Sequence, residues 1–150
     1  MNNIEKIQDI FRERDYCVRL LDAYGFEYTL SFDFWDEYST NVFITFIARD
    51  EYEAGNISEK QFQYFVNAYR YIYSRLIKAV KLVQAEGAEA DIQELQSLFN
   101  QIIKKGINRN KRIKKEGQGN MMFFEDHPVY GELIRSDHNR HADRWGLGRI

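Results

Sequence analysis

The chain is nearly without proline and cysteine, with one of each in 150 residues. A single Cys17 cannot close an intramolecular disulfide, and its place in an apolar stretch makes it a packing residue rather than a nucleophile. No charged N-terminal region followed by an apolar segment opens the sequence, so a reducing compartment, the cytoplasm, is expected. Long apolar runs are missing as well. The longest, residues 42–48, falls far short of the ~20 residues that cross a bilayer, and no membrane association is expected. Catalytic signatures are lacking too: there is no Gly-x-Gly-x-x-Gly, no P-loop, no nucleophile elbow around any serine, and no pair of histidines four apart around a glutamate. No motif names a reaction or implies a cofactor.

What the chain has in quantity is aromatic mass and charge. Ten Tyr, eleven Phe and two Trp, within 44% apolar and 29% charged residues, argue against a disordered chain and describe one ordinary domain with a buriable core. The formal net charge of -2 conceals an uneven distribution. Residues 1–60 hold thirteen Asp and Glu against six Lys and Arg, whereas residues 61–150 hold ten against fifteen. Such segregation points to a charged partner, or to one end of the molecule facing the other.

Periodicity predicts an α+β fold: a short N-terminal helix, a three-stranded antiparallel sheet, a long antiparallel helical hairpin and a charged C-terminal extension. Asn2 or Asn3 caps a helix with Ile4, Ile7, Ile10 and Phe11 on one stripe, ending near Asp15. Residues 16–21 read as a first strand, with Gly25 in the turn after it. Phe26, Tyr28, Leu30, Phe32 and Phe34 alternate with Glu27, Thr29, Ser31 and Asp33, which gives a half-buried second strand. Residues 41–48, apolar on both parities, make a central third strand after a loop over residues 36–40, and three sequential strands with short connections form a meander. Ser58 and Gln61 then make a capping box. Behind it Phe62, Phe65, Tyr69, Ile72, Leu76, Ala79 and Val83 step by three and four along a helix to about residue 85. After a break at Gly87, Ile92, Leu95, Phe99 and Ile102 repeat the spacing on a partner helix that ends near Gly106. Residues 1–105 are expected to form the domain, and residues 106–150 a basic segment and extension packed on it.

Three sets of residues carry candidate chemistry. Asp33, Asp36, Glu37, Asp50, Glu51 and Glu53 flank the expected sheet, and clustered carboxylates there would imitate a row of phosphates and engage a protein with a basic nucleic-acid-binding surface. Lys104, Lys105, Arg109, Lys111, Arg112, Lys114 and Lys115 form a run without an acid that would neutralise phosphates on a nucleic acid or nucleotide, or else a solvated helix end whose cations complement the helix dipole. His138 and His141 lie one helical turn apart and His127 stands beside Asp126, a spacing open to a divalent metal and metal-dependent catalysis. Tyr64, Tyr71 and Tyr73 offer aromatic area for a homodimer.

The Asn-rich opening, the Ile-spaced first helix and the following Arg14, Asp15, Tyr16, Val18, Arg19 and Leu20 resemble the start of a small phage-encoded Cas9-inhibiting anti-CRISPR protein, as does the expected order of helix, meander and two helices. The resemblance covers about twenty residues and the topology. It implies a cytoplasmic, non-catalytic inhibitor whose acidic face occupies the arginines that read the short DNA motif beside a target. The basic run and the long C-terminal extension depart from that pattern. Ranked by these features, an acidic-face inhibitor of a nucleic-acid-handling protein comes first, a phosphate-ligand binder using residues 104–115 second, and a metal-dependent enzyme third.

Overall fold

A computed structural model of the protein describes residues 2–26, 32–115, 126–146 and 148–150, without the side chains of Phe32, Asp33 and Lys114. Among these residues there are five α-helices and no strand: α1 (Asn3–Ala23), α2 (Phe32–Glu53), α3 (Glu59–Glu86), α4 (Ile92–Lys115) and α5 (Gly131–Trp145). The expected α+β fold is thereby overturned, and with it the helix-and-meander order that supported the anti-CRISPR resemblance. None of the helices is long and apolar enough to cross a membrane.

Each misread strand has a physical explanation. α1 does not stop at Asp15, because its buried stripe of Ile7, Phe11, Arg14, Val18 and Leu21 continues at three- and four-residue steps straight through residues 16–21. Residues 41–48 are apolar on both parities because the helix they belong to is enclosed on most sides: Asn41, Val42, Phe43, Ile44, Ile47 and Ala48 are all buried. A short apolar run satisfies a covered strand and a buried helix equally well. The alternating stretch from Phe26 to Phe34 falls largely on residues 27–31, outside the described residues, and from Phe32 onward the backbone is α2.

α2 is the central element, packed against α1, α3 and α4. α1 supplies Ile7, Phe11, Cys17, Val18 and Leu21, and α3 supplies Phe65, Ile72, Leu76, Ala79 and Val83 to the same core. α3 starts where the capping box places it. Ser58 Oγ accepts from the Gln61 amide and the Gln61 side chain accepts from the Ser58 amide, which satisfies two otherwise orphaned N–H groups. α3 and α4 lie antiparallel, joined by a single 3-10 turn at Gly87–Glu89, and make the most extensive helix contact in the fold.

α4 does not end near Gly106 but runs on to Lys115. Gly106 is buried, and a Cβ there would meet the Glu37 carboxylate of α2 in sub-contact range, so this glycine is a point of close helix approach and not a terminator. Three residues on, Arg109 is fully buried, donating to Asn41 Oδ1 at 2.6 Å with Glu37 Oε2 3.8 Å away. Alanine in an ordinary helix interior is about 1 kcal/mol better than glycine. Here Gly106→Ala is expected to destabilise the protein by about 1–2 kcal/mol in urea unfolding, because Glu37 must leave its place beside Arg109. In a Glu37→Ala background the same substitution is expected to turn neutral or stabilising.

Candidate functional site

Four groups of polar side chains compete for the role of a site. The most enclosed centres on Arg14, which projects from the apolar stripe of α1 with none of its surface exposed. Its Nη1 and Nη2 donate to the two oxygens of Asp137 on α5 at 3.0 and 2.7 Å, a two-pronged pairing of fork and carboxylate. Nε and Nη2 donate to Asp15 Oδ1 at 3.1 and 2.7 Å, and Nη1 to Ser39 Oγ at 2.6 Å. The guanidinium lies over the Phe11 ring at 4.3 Å, with Trp35 at 5.2 Å. Arg140 bridges Asp15 and Asp137, both at 3.1 Å, and His141 Nε2 stands 3.4 Å from Asp15 with its ring edge-on to Trp35. Burial by itself raises the Asp15 carboxyl. The hydrogen bond from His141 and the charge and hydrogen bonds of Arg14 outweigh that and hold it at about 2.

Arg14 has spent its donors on protein acceptors, which makes the cluster a fastening for α5 and leaves little of it for a substrate. The Tyr130 hydroxyl reinforces the fastening, donating to Asp50 at 2.5 Å and accepting from Asn3 at 3.2 Å. Arg144 of α5 pairs with Asp22 of α1.

The six acids expected to cluster beside a sheet instead lie along one helix. Asp36 and Asp50 are fourteen residues apart on α2, about 21 Å at 1.5 Å per residue, so the two groups form no single patch. Most are occupied within the fold. Glu37 faces Arg109, Asp50 accepts from Tyr130, Glu51 from Asn56 at 2.9 Å and Glu53 from Arg49 at 3.2 Å, and Asp36, at the surface, adds to the negative field at Arg109. The Asp33 side chain lies outside the described residues.

The three histidines are separated in task. His127 Nδ1 accepts from the amides of Val129 and Tyr130, His138 Nε2 donates to the Gly148 carbonyl at 2.7 Å, and His141 belongs to the Arg14 cluster. Among the described residues no group of three His, Cys, Asp or Glu side chains is placed to hold a metal ion. Cys17 is buried, and burial pushes its thiol up to about 12, against the needs of a nucleophile.

The basic run behaves differently. Arg109 turns inward, and burial draws its pKa down to about 10 although Glu37, Tyr64 and Asp36 act the other way. Lys104, Lys111 and Lys115 are exposed, Lys105 and Arg112 half-buried, and the Lys114 side chain is outside the described residues. Arg112 and Lys105 meet two tyrosines of α3. The Arg112 guanidinium lies 3.9 Å from the Tyr64 ring centroid, Lys105 Nζ lies 5.2 Å from Tyr71 and 6.0 Å from Tyr64, and Arg75 closes the row 3.7 Å from Tyr71. Arg75 Nε also donates to Gln101 Oε1 at 3.0 Å.

The register explains the row. Stepping from Tyr64 to Tyr71 to Arg75 moves seven and then four residues up α3, and stepping from Arg112 to Lys105 to Gln101 moves seven and then four down α4. Antiparallel helices with matched steps keep such partners facing each other throughout. The row therefore alternates cation and aromatic ring across the helix seam, each cation seated against a π face. Tyr64 and Tyr71, expected as dimer contacts, are largely taken up here, and Tyr73 donates to Glu13 of α1 at 3.1 Å.

Acids are absent from most of the two helices, with Glu94 and Glu116 standing at the two ends of the acid-free part of α4. Residues 60–85 of α3 and 95–115 of α4 carry twelve Lys and Arg and not one Asp or Glu. Among the described residues no carboxylate pairs with Arg75, Lys78, Lys104, Lys105, Lys111 or Lys115, and Arg109 reaches Glu37 only from inside the fold.

Sequence reading missed Arg14 and Asp137 as a pair, Ser39 as a partner of Arg14, Arg75 as a partner of Tyr71 and Gln101, and the burial of Arg109. The available signal was a charged residue standing in an apolar stripe, Arg14 between Phe11 and Val18, and Arg109 between Ile102 and Ile113. A cation in that position is buried and paired or the helix does not pack.

No family model matches the chain, and no curated protein and no solved structure matches it.

Removing Asp137 leaves Arg14 charged, buried and half-satisfied. Asp137→Asn is expected to cost about 3 kcal/mol in urea unfolding. The Asp15 carboxylate, held at about 2 against an ordinary 3.8, stabilises the fold above pH ~4, and that contribution fades as pH falls through about 2. The stability gap between wild type and Asp15→Asn is therefore expected to be fully open from about pH 5 upward and to close towards pH 2, read from urea midpoints across the series.

Proposed function

We propose that the protein is a non-catalytic binding protein that takes a phosphate-bearing polyanion along the cationic face of the α3–α4 hairpin. The supporting observation is the acid-free stretch of both helices with the row Arg112, Tyr64, Lys105, Tyr71 and Arg75 across their seam. Cations seated on rings have lost part of their rotamer freedom before a ligand arrives, which lowers the entropic cost of binding. Exposed Lys104, Lys111 and Lys115 extend the positive potential along α4 beyond the row.

Length also favours a polymer over a single nucleotide. From Lys104 to Lys115 the exposed cations span eleven residues, about 16 Å of helix, and Lys78 extends the basic surface on α3 one turn past Arg75. The acidic-face alternative draws less support, since its carboxylates sit at two ends of α2 and most are engaged within the fold.

Fluorescence anisotropy with a labelled random-sequence oligonucleotide tests the proposal. Binding is expected at about 50 mM salt and to weaken steeply as salt rises, because released counterions drive it. Lys104→Ala/Lys111→Ala/Lys115→Ala removes three exposed cations, and is expected to reduce the slope of log K against log salt by about 2. An unchanged slope, or no binding to any polyanion at low salt, overturns the proposal.

A further inference from the structure

The cationic row accounts for only half of the exposed face of α4. Towards its N-terminal end the same face carries amides and a hydroxyl: Gln93, Gln96, Ser97, Asn100 and Gln101 line an open trough that Lys104 closes at the basic end. The residues repeat at three- and four-residue steps, so trough and basic row are one continuous stripe along one helix. The amides are organised among themselves, Gln96 donating to Asn100 at 3.1 Å and Gln101 to Ser97 at 3.3 Å, and Gln101 also accepts from Arg75. The stripe thus changes from point charges to paired donors and acceptors at Lys104.

Those two halves suit two different parts of one ligand. Lysine and arginine neutralise phosphates without regard to sequence, whereas Gln and Asn side chains offer the donor and acceptor together that a base edge matches. We infer that the ligand of this face is a single-stranded nucleic acid, its phosphates along Lys104, Lys105, Lys111, Arg112 and Lys115 and its unpaired bases over the amide trough. The inference rests on the polyanion reading and narrows it.

Shape decides against a duplex. Reading paired bases requires an element to enter a groove, and the major groove of B-form DNA is about 12 Å wide. α4 lies side by side with α3 along its length, and two helices ~10 Å thick present a face about 20 Å across. That face cannot enter the groove, and the major groove of double-stranded RNA is narrower still. On B-form DNA the amide trough would meet only backbone, and in the shallow minor groove of double-stranded RNA it would meet 2′-hydroxyls and base edges whose Watson–Crick groups are already paired. Against a single strand it meets bases that are free to turn towards it. The stripe from Gln93 to Lys115 is about 33 Å long, enough for roughly five to ten nucleotides depending on how far the strand is stretched.

The experiment compares three probes by anisotropy competition at fixed salt: unstructured single strands of graded length, as RNA and as DNA, the matching duplexes, and inorganic polyphosphate. Single strands are expected to bind at least tenfold more tightly than their duplexes, with affinity rising with length and levelling off near ten nucleotides. Gln93→Ala/Gln96→Ala/Asn100→Ala is expected to erase the preference for single strands while leaving salt-dependent binding to duplex and polyphosphate in place. Gln93 and Asn100 are exposed and Gln96 half-buried, and a circular dichroism spectrum unchanged from wild type verifies the fold. Equal or tighter binding to duplex or polyphosphate, or a preference that survives the amide substitutions, overturns the inference and leaves the polyanion reading standing. No binding to any of the three probes overturns both.

Discussion

The fixed antiparallel register of α3 and α4 is the constraint from which the rest of the molecule follows. It is set on the inner side by apolar steps, Phe65, Ile72, Leu76, Ala79 and Val83 against Leu95, Phe99 and Ile102, and short connections at both ends of α3 leave little room for slippage. Once the register is fixed, the outer side has no choice: Tyr64 faces Arg112, Tyr71 faces Lys105 and Arg75 faces Gln101. Core packing thus determines the spacing of the cationic row, and a shift of one helical turn would separate every ring from its cation.

The inner side also dictates what α2 must be. A helix placed over that pair and covered by α1 is enclosed on most of its circumference, and only a sequence apolar in nearly every register satisfies it. Two arginines reach that interior from either side, Arg14 from α1 and Arg109 from α4. Neither is tolerable without partners: Arg14 finds Asp15 on α1, Asp137 on α5 and Ser39 on α2, and Arg109 finds Asn41 with Glu37 on α2. The polar residues of α2 that looked like turn and loop chemistry are the acceptors that let two charges be buried.

How much of this was legible depends on how unambiguous each pattern is. The unbroken three-four stepping from Phe62 to Val83, closed by Ser58 and Gln61, admits only a helix and predicted one. The run at residues 41–48 admits two answers, and the choice between them is made by α1, α3 and α4, which no local window contains. Residues 16–21 were separable in principle, since Cys17, Val18 and Leu21 continue the stripe of Ile7 and Phe11, but β-branched and aromatic neighbours pulled the reading towards a strand. The basic run was visible as composition. Its aromatic partners were not, because Tyr64 and Tyr71 stand some forty residues away in sequence and become partners only through the register.

Charge bookkeeping gives the cationic face a thermodynamic meaning. Two acids of α1 are matched by arginines, Asp15 by Arg14 and Arg140 and Asp22 by Arg144, and their pairs with α5 help to fasten that helix. On the hairpin, Arg109 is matched by Glu37 from inside the fold, whereas among the described residues no carboxylate pairs with Lys104, Lys105, Lys111 or Lys115. Lys111 and Lys115 repel each other one turn apart on α4, and like charges at that spacing cost a few tenths of a kcal/mol. Cations in the last turn recover part of that from the helix dipole, but Lys104 and Lys105 lie too far from the C-terminus to benefit, since the effect fades within a turn. A helix that carries uncompensated repulsion over this length is more stable with an anion beside it than alone, and by linkage whatever relieves the repulsion binds the folded chain in preference to the unfolded one. Under the proposed function, the repulsion along α4 is one of the costs that a bound linear polyanion would screen, so it adds to the attraction between the cations and the ligand.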